Sequence, residues 1–326
     1  MTDSKETVGL RRFPEYPFND PPMRRSRVSK MANTATLKPA KPQPRSVPAD
    51  VPASSRAFAM LSHRGRVRHA NQDACAALPE HGVFVVCDGI GGAAAGEVAS
   101  HLATKAFLQA LSEPIPAQPR PNSTRAASTP ASSSNASQYP PDHPHTRLDE
   151  AVRAANQAVF RHSRKSQNLR GMGTTLVAAL LDDTVDAPAI WLAHVGDSRA
   201  YRFRRGTLHL LTADHSLVEE QVRAGILSAH EAAASPMRNI ITRAIGSQPA
   251  VEPEIATHAA QPGDLYLLAS DGLTRELADA EIASVLSQIP DRTTAAHLEV
   301  ACQALVDAAN AHGGRDNITV LLLACP

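Results

Sequence analysis

The chain is expected to fold as a mixed α and β domain, on three observations. Apolar runs of strand length meet Asp-Gly or Asp-Asn turns, segments with helical spacing separate those runs, and 43% of the 326 residues are hydrophobic, enough for one large core.

Taken in order, residues 1–55 are expected to form a disordered tail. Prolines recur from Pro14 to Pro52, apolar periodicity is absent, and basic residues such as Arg11, Arg12, Arg24 and Arg25 outnumber acidic ones. The plain expectation is a solvated extension, and the sharper one a docking arm for an acidic partner. Met31 offers an alternative start, which would make residues 1–30 an over-called beginning of the chain. The strand-like run 83–87 ends at Asp88-Gly89, and Gly89, Gly91, Gly92 and Gly96 lead into an alanine-rich helical segment over 97–111. Residues 112–146, rich in Pro, Ser, Ala and Asn, read as a flexible insert. Helical spacing returns with Leu148, Ala151, Val152, Ala155 and Val159. Residues 176–181, 189–195 and 200–205 read as strands, with a hairpin turn at 204–207. The run 265–269 meets Ser270-Asp271-Gly272. A long amphipathic helix over 293–312 stops at Gly313-Gly314, and Asp316-Asn317 opens the last strand.

Composition narrows the function. A formal charge of +1 gives no case for nucleic acid. Cys75, Cys87, Cys302 and Cys325 form no C-x-x-C pair, so free thiols in a reducing cytosol are expected. No run approaches the ~18 apolar residues needed to span a bilayer, and no leading hydrophobic stretch resembles a secretory signal. The expected location is cytoplasmic, where the sequons at Asn122 and Asn135 stay unmodified.

Asp88, Asp271 and Asp316 each sit where an apolar run breaks, which places a carboxylate at a strand end, facing a cleft. Carboxylates gathered from distant strands repel unless a cation neutralises them. Oxygen ligands without His or Cys suit magnesium or manganese rather than zinc. None of the fourteen histidines has a His or Cys partner at ligand spacing, so surface or core positions are expected for them. His215, beside Asp214, is the one singled out for testing. The glycines after Asp88 let backbone approach a cation or phosphate. Arg66 and Arg68 offer guanidinium groups for phosphate, and Asp73 offers a further carboxylate.

Six motifs occur in one order: R-x-x-N-Q-D ending at Asp73, D-G-x-G-G from Asp88, G-M-G-T-T from Gly171, V-G-D-S-R from Val195, S-D-G from Ser270 and G-x-D-N from Gly314. Together with residues 212–216 and 238–246, this order resembles the bacterial branch of the metal-dependent protein phosphatases, the PPM or type-2C family, from about Phe58 onward. The resemblance implies an α+β four-layer sandwich, with two antiparallel β-sheets packed face to face and helix pairs on both outer faces. It implies hydrolysis of phosphoserine and phosphothreonine by metal-activated water, using two Mn2+ or Mg2+ ions about 3.5–4 Å apart. Asp88 would bridge the ions, with the Gly89 carbonyl on one and Asp271 and Asp316 on the other. Asp73 would act through water, and Arg68 would grip the substrate phosphate. Asn71, Gln72, Asp197 and Asn317 are candidate supporting residues, and for Asp197 a bracing role is favoured over a direct one. Partners would be phosphorylated proteins and an opposing serine/threonine kinase, and the protein would be a monomer.

Departures from the family pattern carry information. Gln72 stands where many members have Glu, and Ile90 where eukaryotic members have a histidine. Arg275 replaces a carboxylate often associated with a third metal, and residues 166–170 contain no acid. Two tightly held ions and at most a weak third are therefore expected. Two other readings compete, a non-catalytic binding module of the same fold and a partner-switching phosphatase of an anti-sigma antagonist. The converging carboxylates argue against the first, and the lack of a visible sensor or membrane domain against the second.

Overall fold

A computed structural model describes residues 56–91, 95–112, 139–182 and 188–325. The expected N-terminal tail and most of the expected insert lie outside the described residues. Strands β1 (Phe58–His63), β2 (Asp73–Leu78) and β3 (Val83–Ile90) are followed by helices α1 (Ala95–Ser112) and α2 (Pro144–Ser163). Then come β4 (Gly173–Thr174), β5 (Leu176–Asp182), β6 (Ala189–Val195), β7 (Arg199–Arg204) and β8 (Thr207–Leu210). Two short helices, α3 (Leu217–Arg223) and α4 (Ala229–Ala234), precede β9 (Glu254–Ala259) and β10 (Leu265–Ala269). Helices α5 (Asp271–Thr274), α6 (Asp279–Leu286) and α7 (Ala295–Ala311) lead to β11 (Ile318–Ala324).

The strands form two antiparallel sheets, ordered β1-β11-β10-β7-β8 and β2-β3-β5-β6-β9, with β4 paired to β3. Three apolar layers separate four layers of structure. In β3, Phe84 and Val86 point between the sheets, packing with Val177, Leu192, Tyr266, Leu268 and Leu321. The alternate residues Val83, Val85 and Cys87 point outward onto α1 and α2. Strand β11 divides in the same way, with Leu321 and Leu323 inward and Ile318, Val320 and Leu322 toward α6 and α7. Side chains alternate across a strand, so one covered on both faces needs an unbroken apolar run. The expected four-layer sandwich is what the chain adopts.

Helix boundaries follow local chemistry. In α1, Ala99, Ala103, Phe107 and Leu111 recur every fourth residue and are buried against Leu148, Val152, Ala155 and Val159 of α2. One expectation needs correction. The sequence extends the insert to residue 146, but α2 begins at Pro144, where the fixed φ of proline suits a first helical position and the His143 ring accepts the His145 N–H. The hairpin at 204–207 is as expected. Arg205 and Gly206 both have positive φ (50° and 80°), the handedness that a two-residue turn between twisted strands requires.

Antiparallel pairing sets the site. The end of β10, the start of β11 and the end of β1 share one edge of the first sheet. Asp73 opens β2 directly opposite Asp88, near the end of β3. Asp73 Oδ2 accepts hydrogen bonds from Ser270 Oγ (2.8 Å) and Thr319 Oγ1 (2.7 Å), which ties the two sheets together at that edge.

Candidate metal centre

Asp88 is held by its backbone. Its N–H donates to Thr175 Oγ1 (2.9 Å), and its carbonyl accepts from the Thr175 N–H (2.8 Å) and Thr174 Oγ1 (2.7 Å). The two threonines of the G-M-G-T-T segment thus fix the strand end that presents the carboxylate. Asp271 opens α5, and Asp316 lies just before β11, where its Oδ1 accepts the Asn317 N–H at 2.8 Å. Asp197, in the turn between β6 and β7, accepts from Arg275 at 3.1 Å. Its side chain therefore meets Asp271 through a shared arginine.

Four of the aspartates have a raised proton affinity. Burial is the first cause for Asp73, Asp88, Asp197 and Asp271. Asp73 is pushed up to about 6, with Asp316 adding repulsion while the two hydroxyls pull the other way. Asp271 reaches about 7, with Asp197 the next cause and Arg275 opposing it. Asp88 lies well above the usual carboxylate range, raised by burial and then by Asp73, Asp271, Asp197 and Asp316. Buried oxygens Asp73 Oδ1, Asp197 Oδ1 and Asp271 Oδ1 have no hydrogen-bond partner. Unpaired buried acceptors beside mutually repelling carboxylates are what a cation satisfies, and an all-oxygen donor set fits manganese or magnesium.

The backbone around Asp88 leaves room for main-chain ligands and nothing larger. The Gly89 N–H donates to the Gln72 carbonyl at 3.2 Å, and a Cβ on Gly89 would run into the carbonyls of Gly96 and Gln72. Gln72 also donates its N–H to Asn317 Oδ1 (2.8 Å), and its side-chain amide lies against Gly96. Asn71 turns away from the carboxylates, its Nδ2 donating to Ser62 Oγ at 2.8 Å and its Oδ1 accepting the Asp73 N–H. Asn317 Nδ2 donates to both Arg64 and Ala70 carbonyls at 2.9 Å, clamping the two ends of the loop that carries Arg66 and Arg68. Arg68 reaches Asp316 Oδ2 at 2.6 Å with its side chain half exposed, whereas Arg66 is exposed and held only through its backbone, its N–H donating to the Gly314 carbonyl.

Some interactions had no signal in the sequence. Arg199 of V-G-D-S-R forms a bidentate pair with Asp214 (2.9 and 2.8 Å), joining two motifs into one brace. His194 and Glu254 are opposed in the β6–β9 register, and His215 stacks on His194 at 4.6 Å. His194 and His215 are buried, within the expected surface or core positions, yet with Glu254 they offer ligand atoms close together in space. The pairing comes from a cross-strand contact that spacing along the chain does not reveal. Two features oppose an ion there. The ring planes differ by only 18°, which leaves no nearby position in the plane of both, and His215 Nδ1 accepts the Gly196 N–H (3.2 Å), which puts its proton on Nε2.

An α+β sandwich whose strand ends gather five aspartates beside an arginine defines a class of metal-dependent phosphohydrolase. The chain belongs to the Protein phosphatase 2C family, whose profile matches residues 62–309. The serine/threonine phosphatase stp of Listeria innocua is 34% identical over 263 residues, which is 80% of this chain and 92% of that protein. The crystal structure of the serine/threonine phosphatase PstP/Ppp of Mycobacterium tuberculosis superposes with a TM-score of 0.66 at 33% identity, over 82% of this chain and 97% of the other. A structure of the PstP catalytic domain in complex with 2 manganese ions gives 0.64 at 32% identity, over 82% and 96%.

Proposed function

We propose that this chain hydrolyses phosphoserine and phosphothreonine esters of proteins with two divalent ions, manganese or magnesium. Asp88, the Gly89 carbonyl, Asp271 and Asp316 would hold the ions, with Asp88 the ligand they would have in common. The observation that carries this reading is the convergence of five aspartates, three with a buried, unpartnered oxygen, beside the half-exposed Arg68. Ions held there acidify a water and neutralise the phosphoryl oxygens.

The chain's own groups do the rest. Arg68 spends one nitrogen on Asp316 and keeps further N–H groups for a phosphate dianion, in the fork geometry that suits it. Asp73, its Oδ2 held by Ser270 and Thr319, acts through water from an outer ring. Ile90 offers no proton, so another group or water must protonate the departing serine or threonine oxygen. The natural partners are phosphoproteins and the kinase that modifies them. The enzyme acts as a monomer in the cytosol, a setting that suits four free cysteines. No helix among the described residues is long and apolar enough to cross a membrane.

The test is turnover of a phosphothreonine peptide by the full chain with manganese, with EDTA, and in the Asp88→Ala variant. Manganese-dependent release of phosphate that EDTA and Asp88→Ala both abolish supports the reading. Peptide binding without turnover would instead favour a non-catalytic binding module.

A further inference from the structure

We infer that Arg275 is a cation built into the site, held between Asp197 and Asp271 where it takes over the role of a third metal ion. The inference rests on the two-ion reading above and goes beyond it. A single nitrogen, Nη2, forms an ion pair with Asp271 Oδ2 at 2.6 Å and donates a hydrogen bond to Asp197 Oδ2 at 3.1 Å, so one guanidinium serves both carboxylates. Both carboxylates are about nine-tenths buried, with side-chain exposures of 10% and 7%. Each raises or is raised by acidic neighbours, and the guanidinium is the main charge opposing that repulsion at Asp197.

The position of Arg275 is fixed. It caps α5, with its N–H donating to the Asp271 carbonyl at 2.8 Å, and α5 is seated by Gly272, where a Cβ would strike the Asn317 carbonyl. The contact also divides the labour of Asp271. Oδ2 faces Arg275, which leaves the buried, unpartnered Oδ1 as the oxygen that would hold a metal ion. Asp197 Oδ1 is free in the same way. Arg275 is thus a positioning residue. It orients Asp271 and neutralises Asp197, and its permanent charge needs no free metal to be in place.

The experiment is equilibrium dialysis of the full chain against Mn2+, for wild type and the Arg275→Ala and Arg275→Lys variants, with turnover measured alongside. Wild type is expected to bind two ions. Arg275→Ala should take up a third equivalent and need roughly tenfold more manganese for half-maximal turnover, and millimolar guanidinium should reverse both changes. Arg275→Lys keeps the charge and should stay at two. Three ions in wild type, three in Arg275→Lys, or two in a folded Arg275→Ala with unchanged affinity would overturn the inference. No manganese binding by wild type would overturn both this inference and the two-ion reading, whereas two ions in wild type and an indifferent Arg275→Ala would sink this inference alone. Should Arg275→Ala fail to fold, Arg275→Gln, which keeps the volume and loses the charge, is held to the same expectation of three.

Discussion

Arg68 donates to Asp316 Oδ2 at 2.6 Å, joining residues 248 positions apart. The phosphate-gripping candidate therefore rests on a metal-ligand candidate, and the Asn317 clamp on Arg64 and Ala70 keeps its loop in place. A candidate phosphate-binding arginine, a candidate metal-ligand carboxylate and a loop are linked through these contacts.

Arg68→Ala should chiefly raise KM for a phosphopeptide. A charge-assisted hydrogen bond is worth roughly 1.5–3 kcal/mol, so kcat/KM should fall about ten- to a hundredfold. Steady-state kinetics at saturating manganese checks this. Unchanged kcat and KM would put Arg68 outside the site and make Arg66 the next candidate.

Asn317→Ala should damage both stability and substrate binding. It strips partners from the Arg64 and Ala70 carbonyls and the Gln72 N–H, and each group left buried and unpaired costs about 1–3 kcal/mol. The expected result is a fall in Tm of several degrees, with KM rising more than kcat falls at a temperature where the variant is folded. A stable variant with wild-type KM would show that the loop holds itself.

Manganese affinity should weaken as pH falls from 8 to 6. Asp271, raised to about 7, and Asp73, raised to about 6, hold protons over that window that a bound ion must displace. Calorimetry in buffers of different ionisation enthalpy should detect proton release that grows toward the lower pH. A flat affinity with no released protons would contradict the burial-driven shifts.

His215 makes a separate acid-sensitive contribution. Burial, then His194 and Arg243, push its pKa down to about 4, although Glu254 sits 3.5 Å from Nε2. The unfolded chain, with an ordinary value of about 6.5, binds a proton over that interval that the folded chain does not. Stability from this group is therefore complete above about 6.5 and is lost as pH falls toward 4. Asp73 and Asp271 act in the opposite sense without metal, since the folded state holds their protons more tightly. The informative quantity is the Tm difference between wild type and His215→Phe, which should narrow between pH 7 and 5. A difference independent of pH would mean that His215 is not buried neutral.

Much of the scaffold was legible because it depends on local pattern. Strand 189–195 matches β6 at both ends, and the expected strands at 176–181 and 200–205 and helix at 293–312 differ from β5, β7 and α7 by one or two residues. Burial on both faces makes such strands continuous apolar runs, and the residues that end them are the ones gathered at the site. Aspartates 88, 271 and 316 were visible for that reason. What stayed hidden depends on partners far away in the chain. The sequence marks Arg275 as a departure and Asn317 as a supporting residue, but not that Arg275 meets Asp197 or that Asn317 reaches the Ala70 carbonyl, and His194 reads as an ordinary strand residue until β9 sets Glu254 opposite. No periodicity encodes those meetings.

The place of β11 bears on when activity can first appear in the cell. This late segment of the chain lies between β1 and β10, so the first sheet has a gap at its centre until residues 318–324 have been made and inserted. Asp316 and Thr319 arrive with that strand, Asp316 bringing the partner of Arg68 and Thr319 one of the two hydroxyls on Asp73. Domains tend to fold from the N-terminal side during synthesis, and long-range pairing is slow. A nascent chain can therefore build the second sheet with α1 and α2 while still on the ribosome, yet hold no complete site. Ribosome-bound chains stopped before residue 316 should be protected from proteases in part and silent toward phosphopeptides, with turnover beginning only when the closing strand is released.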